Sequence, residues 1–281
     1  WSIAETDKGI IWVATSDGLN RLEKNKSVRF TRFMHDPAVS TSINHVLVRS
    51  LLVSKKGELW VGTEKGFGHF DIKSEVFTAI PFEKAGNVEA ITRMIEDHKG
   101  GIWIGTQGGL LRYEPKNKQL TELTDRPEFQ LFRDNDIRDL LIDESGVLWV
   151  ATRYAGLIKI NLTLNRFGYY QSYIGADGDE RLINKVHSLY ASHSLEGEQN
   201  DLWMGVANGL LRMDMQTQKI ERFDAPVDLS VTRVKVIAGS LNSKLWLGSS
   251  FGLSSFDTKT RQFSDEMALL SPVKIKQVKS L

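Results

Sequence analysis

The chain has 281 residues, 41% of them hydrophobic, and 36 Lys+Arg against 35 Asp+Glu leave a net charge of +1. That balance argues against a nucleic-acid surface, which needs a basic domain or stripe. The absence of cysteine rules out disulfide staples and thiol chemistry. No apolar run approaches the roughly 18 residues a bilayer span requires, and the chain opens at Trp1 without a signal peptide. Any leader or membrane segment is expected outside it.

Taken in chain order, one short apolar strand recurs around tryptophan. It reads Ile11-Trp12-Val13-Ala14-Thr15, then Leu59-Trp60-Val61-Gly62-Thr63, then Ile102-Trp103-Ile104-Gly105-Thr106. The later copies are Leu148-Trp149-Val150-Ala151-Thr152, Leu202-Trp203-Met204-Gly205-Val206 and Leu245-Trp246-Leu247-Gly248-Ser249. The tryptophans are spaced 48, 43, 46, 54 and 43 residues apart. A glycine follows each one (Gly18, Gly66, Gly109, Gly156, Gly209, Gly252), then an apolar position (Leu22, Phe70, Tyr113, Ile160, Met213, Phe256). Next come an acidic or amide residue (Glu23, Asp71, Glu114, Asn161, Asp214, Asp257) and a further apolar one (Phe30, Phe77, Leu120, Phe167, Ile220, Phe263).

The second repeat shows how each folds. Val46 to Val53 reads as a strand ending at the turn Lys55-Lys56-Gly57. Leu59 to Thr63 is a second strand, Phe67 to Asp71 a third and Glu75 to Ile80 a fourth. Glycine at the turns supplies the positive φ that tight hairpins demand. A four-stranded sheet of this size cannot bury both faces alone, and a repeat period of 40 to 50 residues is that of propeller blades. The fold class is therefore all-β, a β-propeller of four-stranded blades with six repeats visible. A single domain is expected over residues 1–281. Val278-Lys279-Ser280-Leu281 repeats the pattern Val48-Arg49-Ser50-Leu51, so 273–281 is read as the start of a further inner strand, and the intact ring as seven-bladed.

Two stretches carry a family resemblance: Asp36 to Asn44 running on through Val48-Arg49-Ser50-Leu51 to Trp60-Val61-Gly62-Thr63 and Gly66, and Asn135-Asp136-Ile137-Arg138 running on to Gly146-Val147-Leu148-Trp149 and Gly156-Leu157. They resemble the two-component regulator propeller repeat, with Val206 and Ser249 departing from its usual threonine. The resemblance implies a periplasmic sensor region, joined through a linking domain and a membrane helix to a histidine kinase or diguanylate cyclase output. Many members of the family sense polysaccharide breakdown products. Membrane contact is then expected only through segments absent from this chain.

Candidate binding residues lie at the start of the inner strands. The position aligned with Arg49 is held by Arg93, Arg138, His187, Lys235 and Lys279, with Trp1 the exception. In a propeller such a register recurs around one mouth of the channel, where a ring of cations favours an anionic or carboxylate-bearing ligand. The alternative is pairing with acidic neighbours such as Glu96, Asp97, Asp139 and Asp143. Asn44, Asn135 and Asn184 precede inner strands and suit sugar hydroxyls, or form turns. Tyr154, Tyr169, Tyr170, Tyr173 and Tyr190 offer stacking surfaces, or core packing.

The expected partner is an oligosaccharide or small anionic ligand, with a homodimer as a further expectation and nucleic acid excluded. The six histidines show no ligand spacing for zinc, and no motif points to a cofactor. No catalytic residue is assigned, and the chain is read as non-enzymatic. Two other readings stay open: a sialidase-like sugar-active enzyme, prompted by the Asp-box-like Asp7 to Trp12, and a protein-interaction propeller, although no Trp-Asp dipeptide occurs.

Overall fold

A computed structural model describes residues 2–7, 9–24, 28–81, 90–122, 136–162, 166–175, 177–183, 185–192, 201–226, 233–239, 243–249 and 252–266. Among them, strands and turns account for all regular structure. The first blade comprises β1 (Ser2–Glu5), β2 (Ile11–Thr15), β3 (Gly18–Lys24) and β4 (Val28–Phe33). The second comprises β5 (Val48–Val53), β6 (Leu59–Thr63), β7 (Gly66–Asp71) and β8 (Val76–Ala79). The third has β9 (Ile91–Glu96), β10 (Ile102–Thr106), β11 (Gly109–Glu114) and β12 (Gln119–Glu122). The fourth has β13 (Ile137–Ile142), β14 (Val147–Thr152), β15 (Leu157–Asn161) and β16 (Arg166–Tyr170). A separate hairpin, β17 (Ser172–Ile174) and β18 (Glu180–Leu182), comes next. The fifth blade is β19 (Ser188–Ser192), β20 (Asp201–Val206), β21 (Gly209–Asp214) and β22 (Ile220–Asp224). The sixth is β23 (Val234–Gly239), β24 (Lys244–Ser249), β25 (Leu253–Asp257) and β26 (Gln262–Asp265).

In every blade the four strands pair in chain order as an antiparallel meander. The four strands read from the second repeat are all present, Leu59 to Thr63 with the bounds as read and the other three shifted at one or both ends by one or two residues. Glu75 leaves the fourth strand because its φ of 59° and its N–H bond to the Asp71 carbonyl place it in the turn. The further inner strand expected over 273–281 lies outside the described residues. The chain divides into two compact units, Trp1–Leu140 and Leu141–Leu281, with the boundary inside β13.

Within each unit the tryptophans build the walls between blades. Trp12 packs with Phe70 and Phe77 of the second blade, and Trp60 with Tyr113 and Leu120 of the third. Trp149 clusters with Met213 and Ile220 of the fifth blade, and Trp203 with Phe256 and Phe263 of the sixth. The recurring apolar positions of the third and fourth strands are thus the surface that receives the preceding tryptophan. Burying such a ring removes about 150–250 Å² from water, the largest apolar contribution any side chain makes.

Glycine two residues after tryptophan permits the approach. A Cβ on Gly62 would stand 2.6 Å from Ile91 Cγ2, and one on Gly105 2.6 Å from Ile137 Cγ2, both on the next inner strand. Buried serines tie the same seams. Ser2 Oγ accepts from Leu51 N–H (3.2 Å), Ser50 Oγ accepts from Met94 N–H (3.1 Å), and Ser188 Oγ donates to the Val234 carbonyl (3.0 Å).

Candidate functional site

Each inner strand starts beside the turn between its blade's second and third strands, so residues there share one end of the blade. The strand register shows a recurrent irregularity at this end. Val48 pairs with Thr63 and Ser50 with Gly62, leaving Arg49 as an extra residue in a β-bulge. Lys235 is extra in the sixth blade, between Val234 and Val236. A bulge re-aims the side chain it carries, a device common beside binding sites. His187 holds the same offset in the fifth blade, three residues before Tyr190, the cross-strand partner of Trp203.

The third blade corrects the expected alignment. Ile91 pairs with Thr106 and Arg93 with Gly105, so the bulged residue is Thr92. Arg93 falls one position later, in the register of Ser50 and Ser188. The physical reason is that Arg93 stands ten residues before its tryptophan, whereas Arg49, Arg138 and Lys235 stand eleven before theirs. Arg93 accordingly does the work of the seam serines: its Nε lies 3.2 Å from Oδ1 of Asp139, which occupies the same register on the fourth blade.

The other two arginines also hold carboxylates. Arg49 pairs through Nε with Glu64 of the adjoining turn, and Arg138 reaches Asp136 Oδ2 at 2.6 Å. The Arg49–Glu64 pair is half-exposed and adds little stability, Asp136 is buried, and in both pairs the carboxylate cancels the guanidinium's field locally. The arginines therefore present paired charge rather than bare positive charge. His187 donates its backbone N–H to the Gly205 carbonyl, and both His187 and Lys235 side chains are half-buried.

Asn44 braces the same end of the second blade. Its Nδ2 donates to the Lys65 carbonyl (2.8 Å) and its Oδ1 lies 2.9 Å from the Thr63 hydroxyl. Beside it, His45 Nδ1 accepts from Leu47 N–H at 3.2 Å. Burial, and then the ammonium of Lys65, hold the His45 pKa below its ordinary value, with Glu64 opposing. Arg49, Glu64, Asn44, His45 and Lys65 thus form one polar cluster of donors and acceptors. Asn135 and Asn184, with Trp1 and Lys279, lie outside the described residues. Of the tyrosines, Tyr154 is exposed, Tyr173 is buried in the core, and Tyr170 and Tyr190 are half-buried. The Tyr169 side chain is outside the description.

The opposite end of the blades, at the turn between first and second strands, is built differently. Asp97 accepts from the Trp103 indole N–H (3.1 Å), from Gly101 and Lys99 N–H, and from Arg112 (3.0 Å). Burial alone pushes its carboxyl up, but the Arg112 bond and the backbone donors outweigh it and the pKa is lowered. Asp143 repeats the arrangement, with the Trp149 indole at 2.7 Å and Val147 N–H at 2.9 Å. Thr6 and Ser54 hold the equivalent places in the first and second blades, where the Trp12 and Trp60 indole nitrogens have no hydrogen-bond partner. The Asp-box-like segment at Asp7 is a turn of this kind, closed by Gly9 N–H on the Thr6 carbonyl.

Sequence reading missed one regularity. The residue paired with each tryptophan on the blade's third strand is Arg21, His69, Arg112, Lys159 or Arg212 in the first five blades. Arg21, Arg112 and Lys159 place their cations 5.6, 5.6 and 5.1 Å from the ring centroids. A basic residue nine or ten positions after tryptophan was the available signal, and cation–π attraction explains it.

Sheets of this connectivity, stacked through tryptophan, define the class: a β-propeller. The family model of the two component regulator propeller matches residues 86–108 and 132–154, so the chain carries repeats of that family. No curated protein matches the chain. Among solved structures, two extracellular domains of putative hybrid two component systems from B. thetaiotaomicron share its fold. One has a TM-score of 0.71 at 18% identity over 100% of this chain, the other 0.73 at 17% over 99%. The chain spans only 36% of either. Virginiamycin B lyase from Staphylococcus aureus, an enzyme by its name, also matches, with TM-score 0.68, 15% identity, and coverage of 98% of this chain and 85% of the lyase.

Proposed function

We propose that the chain is a non-catalytic, extracytoplasmic ligand-sensing propeller of a bacterial signal-transduction receptor. Its binding end is the one where the bulged residues and the second-to-third-strand turns meet. The ligand is a polar oligosaccharide. The observation that carries this is the cluster of Arg49, Glu64, Asn44, His45 and Lys65, which sets charged donors and acceptors side by side on a braced turn. Paired charge of this kind matches the alternating donor and acceptor character of sugar hydroxyls better than it matches a bare anion. The repeats of the two-component regulator propeller family support the sensory role. A ligand can move such a receptor between states only through differential affinity for them.

The test is a thermal-shift screen of the folded chain against neutral and acidic oligosaccharides. At a concentration about 100 times Kd a true ligand contributes about 2.7 kcal/mol, several degrees in Tm for a chain of this size. No shift with any saccharide on a folded sample would overturn the reading.

A further inference from the structure

Among the described residues of the second unit, three large apolar side chains stand well exposed: Tyr154 (63%), Ile174 (63%) and Leu182 (67%). The last two stand on one face of the β17–β18 hairpin, whereas Tyr154 carries the Arg153 guanidinium 5.1 Å from its ring centroid. Tyr154 lies in the β14–β15 turn, which is one residue longer than its counterparts in the other repeats. The β17–β18 hairpin rests on that turn. Gly156, at φ 71°, backs so closely onto the hairpin's stems that a Cβ there would meet the Ile183 carbonyl at 2.7 Å and the Tyr170 carbonyl at 2.8 Å. The stems themselves are joined by Ile183 N–H donating to the Gln171 carbonyl at 2.6 Å.

The hairpin register separates two faces. Tyr173 pairs with Arg181, and Tyr173 is buried in the core with Ile183 and Val186. Ser172 pairs with Leu182 and Ile174 with Glu180, so these four share the opposite, outward face. There Ser172 Oγ bonds Glu180 Oε1 at 2.5 Å, which fixes the face around its two aliphatic side chains. The exposed tip and second strand carry three carboxylates, Asp177, Asp179 and Glu180, against the one guanidinium of Arg181, itself paired with Asp177.

A two-stranded hairpin with three residues per strand has no independent stability. One tyrosine anchors it, and its outward face contributes nothing to the core while exposing two aliphatics beside an acidic rim. We propose that this face is a docking surface for a protein segment that presents an apolar strip bordered by lysine or arginine. Branched aliphatic side chains give a saccharide no hydrogen bond and no ring to stack on, so the occupant is a polypeptide. A second copy of this chain is disfavoured, because a two-fold contact through the hairpin would bring its acidic rims together. The proposal stands independently of the saccharide reading, since it uses none of the same residues.

The experiment is fluorescence anisotropy with the full chain and two labelled synthetic peptides, one alternating leucine with lysine and one alternating leucine with glutamate. The lysine peptide is expected to bind at least about tenfold tighter. Ile174→Ser combined with Leu182→Ser should weaken it by about tenfold or more with Tm unchanged within about 1 °C. Ile174→Ser alone, on the outward face, checks the same surface should the double variant fold poorly. Neutralising the rim with D177N, D179N and E180Q should abolish the difference between the peptides. Equal binding of the lysine peptide to the native chain and both apolar variants overturns the proposal. So does a dimer of the native chain that the double variant loses, since that result assigns the face to a second copy.

Discussion

At one end of the blades Asp97 and Asp143 each gather an indole, backbone amides and, for Asp97, a guanidinium into a closed buried network. At the other end the equivalent bulge positions hold Arg49, Thr92, His187 and Lys235, each in different company. Both ends come from the same repeat, yet the first alternates between two related arrangements, an aspartate under the indole in the third and fourth blades and a hydroxyl residue, Thr6 or Ser54, in the first two, while the second changes residue class from blade to blade. Where a side chain must fit between two sheets, few alternatives satisfy the seam. Where it faces a turn, each blade is free to differ, and that freedom is what a binding surface requires.

The largest expected effect lies in the walls. Trp60→Ala should cost about 3–5 kcal/mol by large-to-small truncation, measured by denaturant unfolding, because it removes the ring packed on Tyr113 of the next blade. A loss under about 1 kcal/mol would break the claim that the tryptophans hold adjacent blades. Gly62→Val comes next, at about 1–3 kcal/mol or more, because its side chain must displace Ile91. Wild-type stability in that variant would mean the close approach of the strands does not matter.

Two aspartates sharpen the comparison through pH. The Asp97 carboxyl is lowered in the folded state, so its contribution is fully present above the ordinary Asp range near 3.9 and is lost as pH falls through the lower folded value. Asp97→Asn should therefore destabilise the chain by about 1–3 kcal/mol at neutral pH and flatten the acid limb of its stability profile. Asp201 runs the other way. Burial raises it, with Asp214 and Glu221 adding to the rise and Arg212 opposing. Its effect on stability is favourable at low pH and declines as pH climbs through the raised value. Asp201→Asn should be neutral or stabilising by up to about 1 kcal/mol at pH 7, and clear destabilisation would contradict this account. The smallest effect is a gain: Ser54→Asn offers the Trp60 indole a side-chain acceptor like those of Trp103 and Trp149 without setting a second carboxylate beside Glu58, worth about 0.5–1.5 kcal/mol. A loss there would show that the second blade's turn rejects the longer side chain.

The walls were legible in the sequence because their residues recur at a fixed period: Trp60, Gly62, Gly66 and Phe70 each do in structure what their spacing implied. The binding end was only half legible. Arg49 and Lys235 stand in one register, but a single missing residue before Trp103 slipped Arg93 out of it, and a bulge is invisible to spacing alone. Ion pairing was weighed in the sequence, yet Glu64 and Asp136, the partners of Arg49 and Arg138, were not among the acids it considered. The β17–β18 hairpin escaped notice because three-residue strands carry too little alternation to register as elements.

The most direct test of the sensing account is a double-mutant cycle on the second blade, titrating R49Q, E64Q and the pair against the saccharide that gives the largest thermal shift. If the two charges act as one recognition unit, each single change should weaken binding by about fivefold or more, and the double change should cost no more than the worse single. Tighter binding of an acidic sugar by E64Q alone would contradict that account. It would return Arg49 to the role of a bare cation.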